Sequence, residues 1–174
     1  MHRPRCLPDG QVLVTPTRIQ CANTQRAAFA NNLGEYTFRH SGDVKGKLAQ
    51  VREALGLVPA YLEQFQEEAE KMIERQLEWD QLQEIATQLW PLDDEDQEAA
   101  YLKQMARERD LKNLFETAPT QEAIRGTAYA GYQSIVEWVD HVQPAKSDRA
   151  RAHRVLTDTK STQIKRSAFA LLGS

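Results

Sequence analysis

Residues 44–90 read VKGKLAQVREALGLVPAYLEQFQEEAEKMIERQLEWDQLQEIATQLW, and this stretch decides how the rest of the chain must be arranged. Val44, Leu48, Val51, Leu55, Val58, Leu62, Phe65, Ala69, Met72 and Trp79 recur at spacings of three and four, with Gln76 alone breaking the row. That is a heptad pattern, which puts these side chains on one face of an α-helix. The opposite face carries Glu63, Gln66, Glu67, Glu70, Lys71, Glu74 and Glu78, so the helix has a dry side and an acidic wet side. Gly56 and Pro59 interrupt it. A proline inside a helix loses a hydrogen bond at a cost of about 3 kcal/mol, so a kink near Leu57 is expected. The apolar phase is the same on both sides, which favours one kinked helix, capped at Ser41 or Asp43, over two helices joined by a loop. Leu82, Ile85, Leu89 and Trp90 extend the pattern, and Pro91 ends it.

Working outward, the segment before this helix looks extended. Gln11–Thr15, Arg18–Cys21 and Tyr36–His40 carry β-branched or alternating side chains and predict three short strands. Pro16, lacking an N–H, predicts a kink, bulge or edge position. Asn23 or Thr24 suits an N-cap for a short helix over Gln25–Asn32. So small a sheet needs support from the long helix or from a partner.

After Pro91, Asp93–Asp96 places acidic side chains where a helix dipole welcomes them, and the helix they open should run to about Phe115 with Tyr101, Leu102, Met105, Leu111 and Leu114 as its apolar side. Thr120 starts another helical stretch, and Gly126–Thr127 breaks or caps it. Ala128–His141 follows as a helix with Tyr129, Tyr132, Ile135, Val136 and Val139 turned inward. Ser147–Leu156 and Thr162–Leu172 read as two shorter helices. The expectation is therefore an α+β chain, predominantly α-helical, in which a small N-terminal antiparallel β element packs on a long kinked helix followed by a helical bundle. Residues 1–174 form a single domain, divided into a β/α subregion over 1–42, the long helix over 43–90 and a helical region with a basic C-terminal tail over 91–174.

With 41% hydrophobic and 27% charged residues among 174, the composition is that of an ordinary globular domain able to bury one core. No apolar run approaches the length of a bilayer span, and Met1–Arg5 is not followed by the apolar segment of a secretory signal, so the expected location is the cytoplasm, with no membrane partner. Cys6 and Cys21 then read as free thiols. The net charge of −3 hides an asymmetry, because residues 60–100 hold thirteen acidic against two basic side chains while residues 146–174 hold seven basic against two acidic. An anionic partner would avoid the middle of the chain and prefer its ends.

No phosphate-binding loop, GxSxG elbow, HExxH or paired CxxC is present, and two cysteines and four scattered histidines give no metal site and no cofactor. Polar clusters set in apolar sequence remain. Arg18, Asn23 and Thr24 follow the first strands, Arg39 and His40 end the third, and Glu137, Asp140 and His141 sit on one helix. On an α-helix Glu137 and His141 share a face, where they could act as acid and base or form a solvated pair. Arg18 and Arg39 could bind phosphate, or pair with Glu137 and Asp140 to tie sheet to helix, which is the stronger reading because half-buried charges are normally paired.

Four motifs in fixed order, Thr15–Thr24 (TPTRIQCANT), Arg39–Gly42 (RHSG), Gly126–Thr127 followed by Glu137–His141 (EWVDH), and Lys165 before Ala168–Leu172 (AFALL), resemble the uncharacterised phage/plasmid-like proteins, a domain-of-unknown-function group found in bacteriophages, plasmids and actinobacteria. The resemblance covers nearly the whole chain and matches the C-terminal half of the family pattern, which implies a short form or a fragment. Gln25 departs from it, standing where the family usually has an apolar residue. The resemblance implies a polar motif of Arg18, Asn23, Thr24, Arg39, His40 and Lys165, and no known reaction.

Three classes of function follow. The first choice is a non-enzymatic protein-interaction module, self-associating or capturing a host factor through the long helix, with Trp79 and Trp90 as exposed anchors. Its structural counterpart is a seam filled by the chain's own helices, Ala128–His141 above all. The second is a nucleic-acid-binding accessory of phage recombination or replication that uses Lys146, Arg149, Arg151, Arg154, Lys160, Lys165 and Arg166, although the tail lacks interleaved aromatics for stacking. The third is an enzyme with Glu137, Asp140, His141 and His40 as catalytic candidates, a reading that the missing signatures count against.

Overall fold

Pro59 stands in the first turn of a helix, α1 (Val58–Glu74), where its missing N–H removes no helical bond. This is the computed structural model of the chain, which describes residues 5–6, 11–14, 18–20, 23–26, 36–39, 56–92 and 97–174. Val44, Leu48, Val51 and Leu55 lie outside the described residues. Within α1 the buried stripe is Tyr61, Phe65, Ala69 and Met72, while Leu62 is 43% exposed. The core row has thus moved one residue off the heptad at this point. Tyr61, four residues before Phe65, stacks against it with ring centroids 6.2 Å apart, and this aromatic contact takes the inward position that Leu62 was expected to hold.

Over the described residues 58–89 the expected continuous rod is divided into two helices, and the break falls at Gln76, the residue that interrupts the apolar row. Arg75 and Glu78 have extended backbone on either side of it. Instead of continuing the helix, the segment pairs antiparallel with Gly126–Ala128: Leu77 N–H donates to the Gly126 carbonyl (2.9 Å), and Ala128 N–H donates to the Arg75 carbonyl (2.9 Å). The bridge satisfies the backbone groups that the interrupted helix leaves open and turns Leu77 into the core. Glu78 then caps α2 (Trp79–Leu89) through a reciprocal capping box with Gln81.

Helix α3 (Gln97–Thr117) leads to a 3-10 turn over Pro119–Ile124. At Gly126 φ is +76°, a backbone conformation that favours glycine, and Thr127 then accepts from Ala130 N–H to start α4 (Ala128–Glu137). Ala128 through Val136 are all buried, so α4 is the central element, with α1, α3 and the later helices around it. Its last turn widens into a π-turn over Trp138–Val142, in which Gln143 N–H donates to the Trp138 carbonyl five residues back (2.7 Å). Ser147 caps α5 (Asp148–Thr157), and Asp158 caps α6 (Thr159–Gly173). Phe65 of α1 meets Phe169 of α6 at 4.9 Å, and Phe169 meets Tyr132 of α4 edge-on at 5.3 Å. The described part of the seam is therefore filled by the chain's own helices.

The molecule is predominantly α-helical with a small antiparallel β element. Strands β1 (Arg5–Cys6), β2 (Gln11–Val14) and β5 (Tyr36–Arg39) form one sheet in the order β1-β2-β5; β3 (Arg18–Gln20) and β4 (Asn23–Gln25) pair separately, Ile19 opposite Thr24. One expectation is corrected here: Asn23–Gln25 is a strand, not the start of a helix, and residues 27–32 lie outside the described residues. Where its packing is described, the β element rests on α4 through β4. The cause is chemical, since the polar side chains of β4 find their partners on α4 and α6. Among the described residues, no helix is long and apolar enough to cross a membrane.

Candidate functional site

Three buried side chains from distant parts of the sequence meet under β4. Asp140, on the π-turn, is fully buried, and Lys165 of α6 is 1% exposed. Asp140 Oδ2 accepts from the Thr24 N–H (2.8 Å) and from Thr24 Oγ1 (2.9 Å). Lys165 Nζ donates to Asp140 Oδ1 and to Thr24 Oγ1. The threonine hydroxyl thus gives one hydrogen bond and receives one, as its chemistry permits. The other residues of β4 are held in the same way. Asn23 Nδ2 donates to Gln133 Oε1 (3.3 Å), Gln25 Nε2 donates to the Tyr129 hydroxyl (2.9 Å), and Gln133 Nε2 donates to that hydroxyl as well (3.1 Å). Tyr132 accepts from Arg26 N–H and donates to the Arg26 carbonyl, both at 2.8 Å.

Local structure explains the arrangement. Tyr129, Tyr132 and Gln133 are three and four residues apart on α4 and face one side. The π-turn advances the chain by fewer degrees per residue than an α-helix, and it is this stretch that carries Asp140 to Lys165. Burial drives the Lys165 pKa below the ordinary lysine value; the Asp140 carboxylate opposes that shift, and Arg26 and Arg154 add to it. Burial pushes the Tyr132 hydroxyl well above the ordinary tyrosine value, against the lowering effect of its bond to Arg26. Asn23, Thr24, Gln25, Arg26, Gln133, Asp140 and Lys165 are at most 6% exposed. Chemically the cluster is a clasp: it exchanges water for fixed partners and joins the β3–β4 hairpin to α4 and α6.

Of the polar motif, the structure brings Asn23, Thr24 and Lys165 together, and Asp140 with them. Arg18 lies opposite Gln25 in the hairpin and Arg39 opposite Gln11 in the sheet; His40 lies outside the described residues. The described partners of Asp140 are Thr24 and Lys165, and those of Glu137 are Thr120 (2.8 Å) and Gln121 (3.1 Å); the side chains of Arg18 and Arg39, expected to pair with these carboxylates, lie outside the described residues. The π-turn begins at Trp138 and takes His141 out of the α-helical phase of Glu137; His141 is exposed, and its carbonyl accepts from Arg151. Among the described residues, no three metal-ligating side chains gather.

The basic tail divides into two sets. Arg154 donates to the carbonyls of Gln143 and Pro144, both at 2.8 Å, and Arg151 to those of His141 and Gln143, so these two close the open end of the α4 segment. Lys165 belongs to the clasp. Lys146, Arg149 and Lys160 are exposed, and Arg166 is half-buried. Trp79 and Trp90 are not bare anchors. Trp90 meets Trp138 edge-on at 5.3 Å with the Arg107 guanidinium 4.7 Å above its ring, and Lys112 lies 5.7 Å from Trp79. Sequence reasoning missed Gln133, Tyr129, Tyr132 and the backbone of Arg26 as site components. The signal was Gln133 itself, a long polar side chain inside a mostly apolar helix, whereas the tyrosines read only as core.

Comparison with curated proteins and with solved structures found no match. Against known families, residues 10–161 match one described as a domain of unknown function (DUF932). That span holds every member of the clasp except Lys165, and the chain belongs to this family.

Proposed function

We propose that the chain is a non-enzymatic, cytoplasmic protein-interaction module of phage or plasmid origin, and that its contact face is the outward side of α3. One observation carries the reading: Tyr101, Leu102 and Met105 are 55%, 60% and 50% exposed. They share a face of α3 distinct from the one that buries Leu111, Leu114 and Phe115. The apolar side expected for this helix is thus two sides, one serving the core and the other turned to solvent. Contiguous exposed apolar groups of this kind are a common mark of an interaction surface. Covering them recovers about 25 cal/mol per Å² of apolar area. A tagged full-length chain should capture a protein partner that a Leu102→Asp chain of unchanged circular dichroism loses; equal capture by both would remove the proposal.

A second reading, binding of nucleic acid, is favoured by the exposure of Lys146, Arg149 and Lys160 near one another in the chain. With three phosphate contacts, log K should fall with log salt at a slope of about −2 to −3. No binding to single- or double-stranded DNA at low salt would remove it.

A further inference from the structure

Lys165 is answered by Asp140, and Arg151 and Arg154 by backbone carbonyls. Arg107, half-buried on α3, has no hydrogen bond or ion pair among the described residues. Its guanidinium carbon lies 4.7 Å from the centre of the Trp90 ring, just past the end of α2, and 5.5 Å from that of Trp138 on the π-turn. Arg107 Nε and Trp138 Nε1 are both buried, and neither has an acceptor among the described residues. Buried donors ordinarily find one. The neighbouring acid does not supply it, because Glu108 Oε2 accepts from Gln83 Nε2 (2.8 Å) and Oε1 from Gln104 Nε2 (2.6 Å). Burial lowers the Arg107 pKa, and the Glu108 charge opposes that shift. Cation–π attraction to the two indoles holds the guanidinium in place but offers its N–H groups no acceptor. Arg107 is one helical turn from Leu111, so it belongs to the side of α3 that faces the core and is separate from the exposed ridge at Leu102.

We propose that Arg107, Trp90 and Trp138 form a binding site for a small carboxylate with a flat apolar body, such as an aromatic acid. The edge of a guanidinium matches the two oxygens of a carboxylate, and the indoles beside it give apolar contact to the body of the ligand. Glu108 sets the charge that fits. One cation beside one anion suits a monoanion, whereas a phosphate dianion meets more repulsion from the same glutamate. The site stands apart from the α3 ridge and is independent of the protein-interaction reading.

The test is a titration of the nitrogen-15-labelled full chain with benzoate at fixed ionic strength, following the indole N–H signals of its three tryptophans by NMR. Trp79→Phe, Trp90→Phe and Trp138→Phe chains assign the signals. Those of Trp90 and Trp138 should shift saturably, with a midpoint on the order of millimolar for so small a ligand, while that of Trp79 stays in place. Arg107→Gln, with unchanged circular dichroism, should abolish the shift. Glu108→Gln leaves the guanidinium intact and removes the nearby negative charge, so it should tighten the midpoint about two- to five-fold, a check that holds even where Arg107→Gln does not fold. Inorganic phosphate should bind more weakly than benzoate. No saturable shift in the wild type, an equal shift in a folded Arg107→Gln chain, weaker benzoate binding by Glu108→Gln, or tighter binding of phosphate than of benzoate overturns the proposal.

Discussion

At Asp140 and Lys165 the chain places two opposite charges where water does not reach, and their value must be judged against the cost of putting them there. Removing a charge from water costs several kcal/mol, so a buried pair fixes geometry more than it adds stability. Breaking it is another matter. Lys165→Met or Asp140→Asn should each cost about 3–5 kcal/mol in urea unfolding at neutral pH, and the double variant should lose clearly less than the sum. Additive losses would mean that the two groups do not act together. The lowered Lys165 pKa has a defined sign: the folded state releases this proton first, so the penalty of the charged form is full at neutral pH and fades as pH climbs toward the ordinary lysine value. Tyr132 acts oppositely. Its raised pKa means that above about pH 10 the unfolded chain ionises while the folded one does not, so stability falls with rising pH there. Tyr132→Phe should abolish that alkaline slope and cost about 1–3 kcal/mol at neutral pH, since the Arg26 N–H loses its acceptor.

Among the elements, the turn into α4 is the most constrained. Gly126 holds φ at +76° while its carbonyl accepts from Leu77, so the end of α1 and the start of α4 depend on one residue's backbone. Gly126→Ala should cost about 1–2 kcal/mol by thermal melting, from the left-handed backbone alone, because the nearest atom to an added Cβ is the Gln76 side chain at an ordinary 3.6 Å. Helix existence was legible in the sequence because caps and apolar stripes agree: Thr127, Ser147 and Asp158 all cap as their residue types suggest. The break at Arg75–Glu78 was visible only as Gln76 interrupting the row, since its stabilising partner, Gly126–Ala128, is fifty residues away in the chain. Leu62 was misplaced because a heptad ruler and a straight helix diverge by about 20° per heptad, enough to exchange neighbours on the stripe. The strand at Asn23–Gln25 was hidden because its residues favour caps as isolated types, and only the tertiary acceptors on α4 and the π-turn, with the Lys165 donor on α6, make the extended form the better one.

For the whole molecule, α4 is the axis on which the other parts depend, touching α1, α3, α6 and β4. Local openings that leave the core intact should not free its amides, so native-state hydrogen exchange should be slowest over Tyr132–Val136 and faster in α5, whose residues are largely exposed. Comparable rates in the two would contradict that ordering. The candidate site was half legible: Thr24 and Asp140 stood out as polar residues in apolar surroundings and Lys165 entered through the family resemblance, yet nothing in their spacing said that they meet. That meeting depends on the wide turn at Trp138–Val142. Losing one codon there would restore ordinary helical winding, swing the aspartate away from its lysine and turn a neighbouring apolar group inward, so a deletion that leaves every charged residue in place would injure the protein as deeply as replacing one.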